Sequence, residues 1–218
     1  MRDHLFPVLR RHIDGAAATW LEQALERART GTLPQLLEVY TTASAKLGTA
    51  LLSESVPAPP GIDPKAWTLE DAGRLLLLLE RSEARPGDAF AADALACYEQ
   101  GDAREQRSWL RTVALLPDSK QYLACVIDAC RTNILPLFEA VACENPYPAD
   151  HFPERNFNQL VLKALFNNVG LARIVGLDRR ANPELARMAG DYEAERRAAG
   201  RSVPGDIAMA KTPGAMSR

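Results

Sequence analysis

The chain lacks most of what would commit it to a reaction. Its 218 residues contain no Gly-rich phosphate loop, no Ser/His/Asp order, no paired-histidine motif and no CxxC pair, so phosphate, nucleophilic, metal and dithiol chemistry have no motif to rest on. No metal or cofactor is expected. Aromatic residues make up only 6% and β-branched runs are nearly absent, which disfavours a sheet protein. No stretch approaches the ~18 apolar residues needed to span a bilayer. The opening Met1-Arg2-Asp3-His4-Leu5 lacks the apolar stretch and small-residue site of a secretory signal. The expected compartment is therefore the cytoplasm, where Cys97, Cys125, Cys130 and Cys143 remain thiols. Cys130 falls in an apolar helical stripe and reads as a small buried hydrophobe. With 26 basic against 28 acidic residues the net charge is -2. Arginines between 179 and 201 alternate with Glu184, Asp191, Glu193 and Glu195 rather than forming a basic face, so a nucleic-acid partner is not expected.

What is abundant is Ala and Leu, both strong helix formers. Helical periodicity recurs with short breaks. A first helix is expected over residues 15–29, ended by Gly31, and Thr32 caps a second with Leu33, Leu36, Leu37, Tyr40, Leu47 and Leu51 on its stripe. Residues 54–66 hold Pro57, Pro59, Pro60 and Pro64, a stiff loop and the best candidate boundary. Thr68 with Asp71 opens a third helix whose five leucines, Leu75 to Leu79, cannot share one face. A fourth is expected over 86–100. Asp102 and Glu105 open a fifth, and residues 118–143 read as one long sixth helix kinked at Pro136. The fold class is thus all-α: a single domain of about eight helices over residues 1–201, either an antiparallel bundle or a short α-solenoid of helical hairpins. Residues 202–218 have little to bury and read as a flexible tail.

Beyond Asn145 the character changes. Residues 145–150 form a turn with two prolines, followed by a helix expected over 152–168. Apolar residues cover most of its circumference, leaving Asn156, Gln159, Lys163 and Asn167 as a narrow polar strip. This helix is expected to be the most enclosed element, its strip facing solvent or an internal pocket. Asn158 lies on the apolar side, where its amide must find either a structural partner or a ligand. His151, Glu154 and Asn158 share a face, but two of these types are poor metal ligands without a second helix, so no metal site is built on them. Asn182 and Pro183 start a last helix that ends at Gly200. On it Arg187, Asp191 and Glu195 lie in one row, either a solvated face with an Arg187 to Asp191 pair or a carboxylate pair facing a pocket.

Asn145-Pro146-Tyr147-Pro148-Ala149, Asn158, Lys163-Ala164-Leu165-Phe166, Gly176-Leu177-Asp178-Arg179-Arg180-Ala181-Asn182, Leu185-Ala186-Arg187-Met188, Asp191-Tyr192, Glu195-Arg196 and Ala198-Ala199-Gly200-Arg201 together resemble the EboA family of bacterial proteins. The resemblance is specific over residues 131–201 and looser before them. It implies an accessory role in secondary-metabolite production or export, in gene clusters that also hold a UbiA-like membrane prenyltransferase, a TatD-like hydrolase, a dehydroquinate-synthase-like protein and a sugar-isomerase-like protein. Where the family pattern reads Tyr-Ala-His-Glu-Arg-Trp this chain has Tyr192-Glu193-Ala194-Glu195-Arg196-Arg197. The absent histidine at Ala194 argues against a required metal or acid-base role there.

Asn145, Tyr147, Asn158 and Lys163 are expected to approach Asp178, Arg180 and Asn182 around one concave site, with Asp191 and Glu195 as further candidates. The leading function is a non-catalytic or cryptically catalytic accessory protein binding a small polar metabolite or a pathway protein, a membrane prenyltransferase among the partners the resemblance implies. An enzyme using Lys163, Asp178 and Arg180, or a helical protein-binding scaffold, are the alternatives.

Overall fold

A computed structural model describes residues 1–211. The chain is all-α, with thirteen α-helices among the described residues. The single strand-like feature among them is an antiparallel bridge between Leu51 and Thr68. The chain divides into two compact units, Met1–Tyr122 and the residues from Leu123 onward. The division falls at Tyr122 and Leu123, so the proline-rich segment 54–66 lies inside the first unit.

The first unit contains α1 (Arg2–Arg11), α2 (Gly15–Thr30), α3 (Leu33–Leu47), α4 (Leu69–Ala84), α5 (Asp88–Glu99) and α6 (Ala103–Thr112). Their starts are written in local chemistry. Thr32 with Gln35, Thr68 with Asp71 and Asp102 with Glu105 each form a reciprocal capping box, which satisfies otherwise orphaned N–H groups. α4 is the axis of the unit and packs against α1, α2, α3, α5 and α6. Twelve of its 16 residues are buried, Glu70, Asp71, Arg74, Glu80 and Arg81 among them.

The second unit contains α7 (Leu123–Ala129), α8 (Leu135–Ala142), α9 (Tyr147–His151), α10 (Glu154–Phe166), α11 (Leu177–Arg180), α12 (Pro183–Ala198) and α13 (Ala208–Lys211). α10 packs against α8, α12 and the 3₁₀ turn Leu171–Arg173. It buries six of its 13 residues, fewer than α4, and its Phe166 is 60% exposed. The expectation that it is the most enclosed helix is corrected: α4 is, because Glu70 and Arg74 pair within it while Asp71, Glu80 and Arg81 are matched by Arg111, Arg2 and Asp93 from neighbouring helices, so that even its charged positions can be buried.

The long sixth helix is also corrected. Its residues form α7 and α8, separated by residues 130–134, and Pro136 sits in the first turn of α8, where its missing N–H costs nothing. The chain therefore stops and restarts where a kink was expected. The count of about eight helices missed α1 and the short α9, α11 and α13, the last three of which lack the length for a periodic signal. Part of the expected tail packs: Ile207 and Ala210 are buried, and Asp206 Oδ2 accepts the Leu171 N–H at 2.6 Å. Residues 212–218 of that tail lie outside the described residues.

Candidate functional site

The polar residues singled out in the second unit form two separate groups. In the first, Asn158, 2% exposed on α10, makes a reciprocal amide pair with Asn182: Asn158 Nδ2 donates to Asn182 Oδ1 at 3.2 Å and Asn182 Nδ2 donates to Asn158 Oδ1 at 3.0 Å. Asn182 Oδ1 also accepts the Leu185 N–H at 2.9 Å, the N-cap bond of α12. Asn182 Nδ2 reaches the Arg180 carbonyl at 3.1 Å. The Arg180 guanidinium in turn donates to the carbonyls of Ala149 at 2.5 Å and Phe152 at 2.8 Å and lies 4.8 Å from the Phe157 ring centre. Burial and the neighbouring Arg179 lower its pKa from the usual arginine value.

Asn145 and Tyr147 belong to the same neighbourhood. Asn145 Nδ2 donates to the Ala140 carbonyl at 3.0 Å, and Asn145 Oδ1 accepts the Tyr147 N–H at 3.0 Å, which fixes the turn into α9. Tyr147 is fully buried, its ring edge-on to Phe152 at 6.4 Å. Gly176 starts α11 at φ +72°, and a Cβ there would stand 2.8 Å from Ala149 Cβ. Only glycine allows α11 to bring Arg180 onto the end of α9.

The second group gathers at the break between α7 and α8. Lys163 Nζ donates to the carbonyls of Cys130 at 2.5 Å and Thr132 at 2.7 Å and lies 5.1 Å from the Phe138 ring centre. It lines a cavity of about 180 Å³ with Asn156, Gln159, Arg131 and Phe152. Asn156, Gln159 and Lys163 of the polar strip thus line a small cavity, while Asn167 follows the end of α10 and is exposed. No carboxylate pairs with Lys163 among the described residues.

Asp178, Asp191 and Glu195 stand apart from both groups and are exposed. Asp191 pairs with Arg187 at 2.7 Å, the solvated row that its spacing allowed. Lys163 and Asp178 do not pair: the lysine is held by the carbonyls at 130 and 132, and the aspartate carboxylate faces outward.

Sequence reasoning passed over the first unit, where the larger cavity lies. It measures about 620 Å³ between α1, α2 and α4, with Phe6, Pro7, Leu25 and the buried Leu76 as its apolar lining. Charged residues ring it. Arg2 Nε meets Glu80 at 2.6 Å and Arg2 Nη1 meets Glu83 at 2.7 Å, so one cation serves two carboxylates. Glu80 is 5% exposed, and burial, only partly offset by Arg2, raises its pKa. The signal available in the sequence was Glu80 and Arg81 directly following a leucine run that had to be enclosed on several sides.

A second charge group ties α4 to α6. Glu70 pairs with Arg74 at 2.9 Å and Arg107 at 3.4 Å, and Asp71 pairs with Arg111 at 2.8 Å while accepting from Ser108 at 2.5 Å. Burial works against the Asp71 carboxylate, but Arg111, Ser108 and the Thr68 N–H outweigh it and hold its pKa below the usual range. These charges are matched within the fold, with Arg107 Nε the one atom of the group that is buried without a hydrogen-bond partner among the described residues. Burial also pushes the Cys97, Cys130 and Cys143 thiols up to about 12, which removes the thiolate that a nucleophile requires. Among the described residues no three His, Cys, Asp or Glu side chains group as metal ligands, and no helix is long and apolar enough to cross a membrane.

The model of a family described as metabolite traffic protein EboA matches residues 1–210. The chain belongs to the EboA family. The EboA match spans helices of both units and so reaches well beyond residues 131–201, where the specific resemblance was read. No curated protein and no solved structure matches the chain. Both cavities lie within the part that the EboA family model covers.

Proposed function

We propose that this EboA chain is a non-catalytic accessory protein that holds a small metabolite in the cavity between α1, α2 and α4. The observation that carries this reading is the cavity itself. Its volume of about 620 Å³ lies within the roughly 300–1,000 Å³ of small-molecule sites, and its lining sets the apolar Phe6, Leu25 and Leu76 beside charged groups that could orient a ligand. The family description, metabolite traffic, agrees with binding and release rather than conversion. The four free cysteines fit work in a reducing compartment such as the cytoplasm.

An enzyme built on Lys163, Asp178 and Arg180 has less support, because Lys163 and Arg180 are engaged by separate sets of backbone carbonyls and Asp178 stands exposed. A second ligand reading has one specific observation in its favour. Lys163 is a half-buried cation without a carboxylate partner, in a cavity that also holds Arg131 and two amides, which suits a small carboxylate or phosphate group.

Native mass spectrometry of protein taken from its own cells tests both readings. The expected result is a small-molecule adduct on the wild type that is lost in Leu25→Trp, which fills the larger cavity, and kept in Lys163→Met. An adduct lost in Lys163→Met and kept in Leu25→Trp overturns the first reading in favour of the second. A bare protein mass throughout removes the support for either.

A further inference from the structure

We infer that the cavity between α1, α2 and α4 selects an organic cation, an amine with an apolar body, and that Arg2 occupies the place of the ligand's ammonium group when the cavity is empty. The inference rests on the preceding reading of this cavity as a ligand site and adds the class of ligand.

The charge around the cavity is unbalanced. Asp3, Glu22, Glu26, Glu80 and Glu83 line it against Arg2 and Arg29. Arg29 is taken by Glu26 at 2.6 Å, and Glu22 is paired from outside the lining by Arg10. That leaves Arg2 as the direct ion-pair partner of both Glu80 and Glu83 among the described residues, with Asp3 beside it and Arg29 acting on Glu80 only through space. Glu80 is the deepest of these groups, its side chain 7% exposed, and a buried carboxylate requires a counter-charge.

Arg2 meets that requirement from the rim. Its side chain is 40% exposed, so it can swing into water at little cost, whereas Glu80 cannot follow. A ligand ammonium placed between Glu80 and Glu83 would replace the guanidinium with charge-assisted hydrogen bonds, and the freed Arg2 could remain on Glu83 or leave. The ligand's apolar body would cover Leu25, Leu76 and Phe6. An anionic ligand would instead meet an acidic rim with no unshared cation.

Three probes with one fluorophore test this on the full chain: dansylcadaverine carries a primary ammonium, dansylamide is neutral and dansylglycine carries a carboxylate. Dansylcadaverine is expected to bind at least about tenfold tighter than the other two, with the margin shrinking as salt is raised. Glu80→Gln should erase most of that margin. Glu83→Gln, at a side chain 56% exposed, should narrow it without risk to the fold. Arg2→Met should tighten dansylcadaverine and leave dansylamide unchanged. Equal affinities for the three probes, all lost in Leu25→Trp, overturn the cation preference and leave the cavity as a ligand site. Failure of every probe to bind, or binding indifferent to Leu25→Trp, overturns both. Unchanged dansylcadaverine affinity in Arg2→Met overturns the role given to Arg2.

Discussion

Replacing Arg180 by Ala asks whether the residue is a clamp or a ligand contact. The guanidinium joins α11 to the end of α9 through the Ala149 and Phe152 carbonyls and covers the Phe157 ring. Hydrogen bonds to a charged donor contribute about 1.5–3 kcal/mol, and the ring contact adds about 0.5–1 kcal/mol at a partly exposed site. Burial works against this total, as the lowered pKa of Arg180 records. A net loss of about 2–3 kcal/mol follows once that opposition is counted. For a chain of this length each kcal/mol moves the melting temperature by about 2–4 °C, so the midpoint should fall by roughly 4–12 °C. Far-UV circular dichroism is the assay, because Trp20, Trp67 and Trp109 all lie before residue 122 and tryptophan emission would not report on α11 directly. Arg180→Lys, which can reach one carbonyl at a time, should fall between Ala and wild type. A midpoint within about 1 °C of wild type for Arg180→Ala would refute the clamp, since that range corresponds to less than about 0.5 kcal/mol.

Two further changes probe the frame. Asp71→Asn should cost about 2–4 kcal/mol at neutral pH, because it leaves Arg111 facing a neutral amide inside the α4 to α6 contact. The pKa of Asp71 is lowered by folding, so its ionised form stabilises the native state above the unfolded value near 3.8, and that contribution is lost as pH falls through the folded value. Urea titrations of the two proteins should therefore converge in acid, and a constant gap from pH 7 to below that range would contradict the assignment. Gly176→Ala combines the left-handed backbone, about 1–2 kcal/mol, with the 2.8 Å approach to Ala149 Cβ. Adding Ala149→Gly should recover the steric part alone, and full recovery or none in the double mutant would show that the two contributions were wrongly separated.

How much of this was legible depended on whether the cause was local. A cap acts over three residues, and Thr32, Thr68, Asp102 and Asn182 all begin helices in the manner their spacing allows. The break at residues 130–134 is different. Nothing within a turn of Pro136 says whether the helix bends or stops, because the carbonyls released there are taken by Lys163, more than 30 positions away. Likewise α9 and α11 are too short to stand on propensity and are held by each other through Arg180 and the close approach at Gly176.

The same distinction governs the site. Asn158 was conspicuous because one polar residue on an apolar face must be satisfied, and the N-cap of α12 satisfies it; conspicuousness therefore marked a joint. Glu80 was inconspicuous because it stands among other charges at the end of α4, yet it is enclosed, and its direct ion-pair partner among the described residues, Arg2, is shared with a second carboxylate. A ligand site needs a group that the fold has buried without fully satisfying. Internal saturation is what the marked residues of the second unit achieve, with Asn158, Asn182 and Arg180 each accounted for by the chain itself. The shortfall lies instead in the first unit, where charge rather than residue type is out of balance, and such an imbalance becomes visible only when α1 and α4 are brought together.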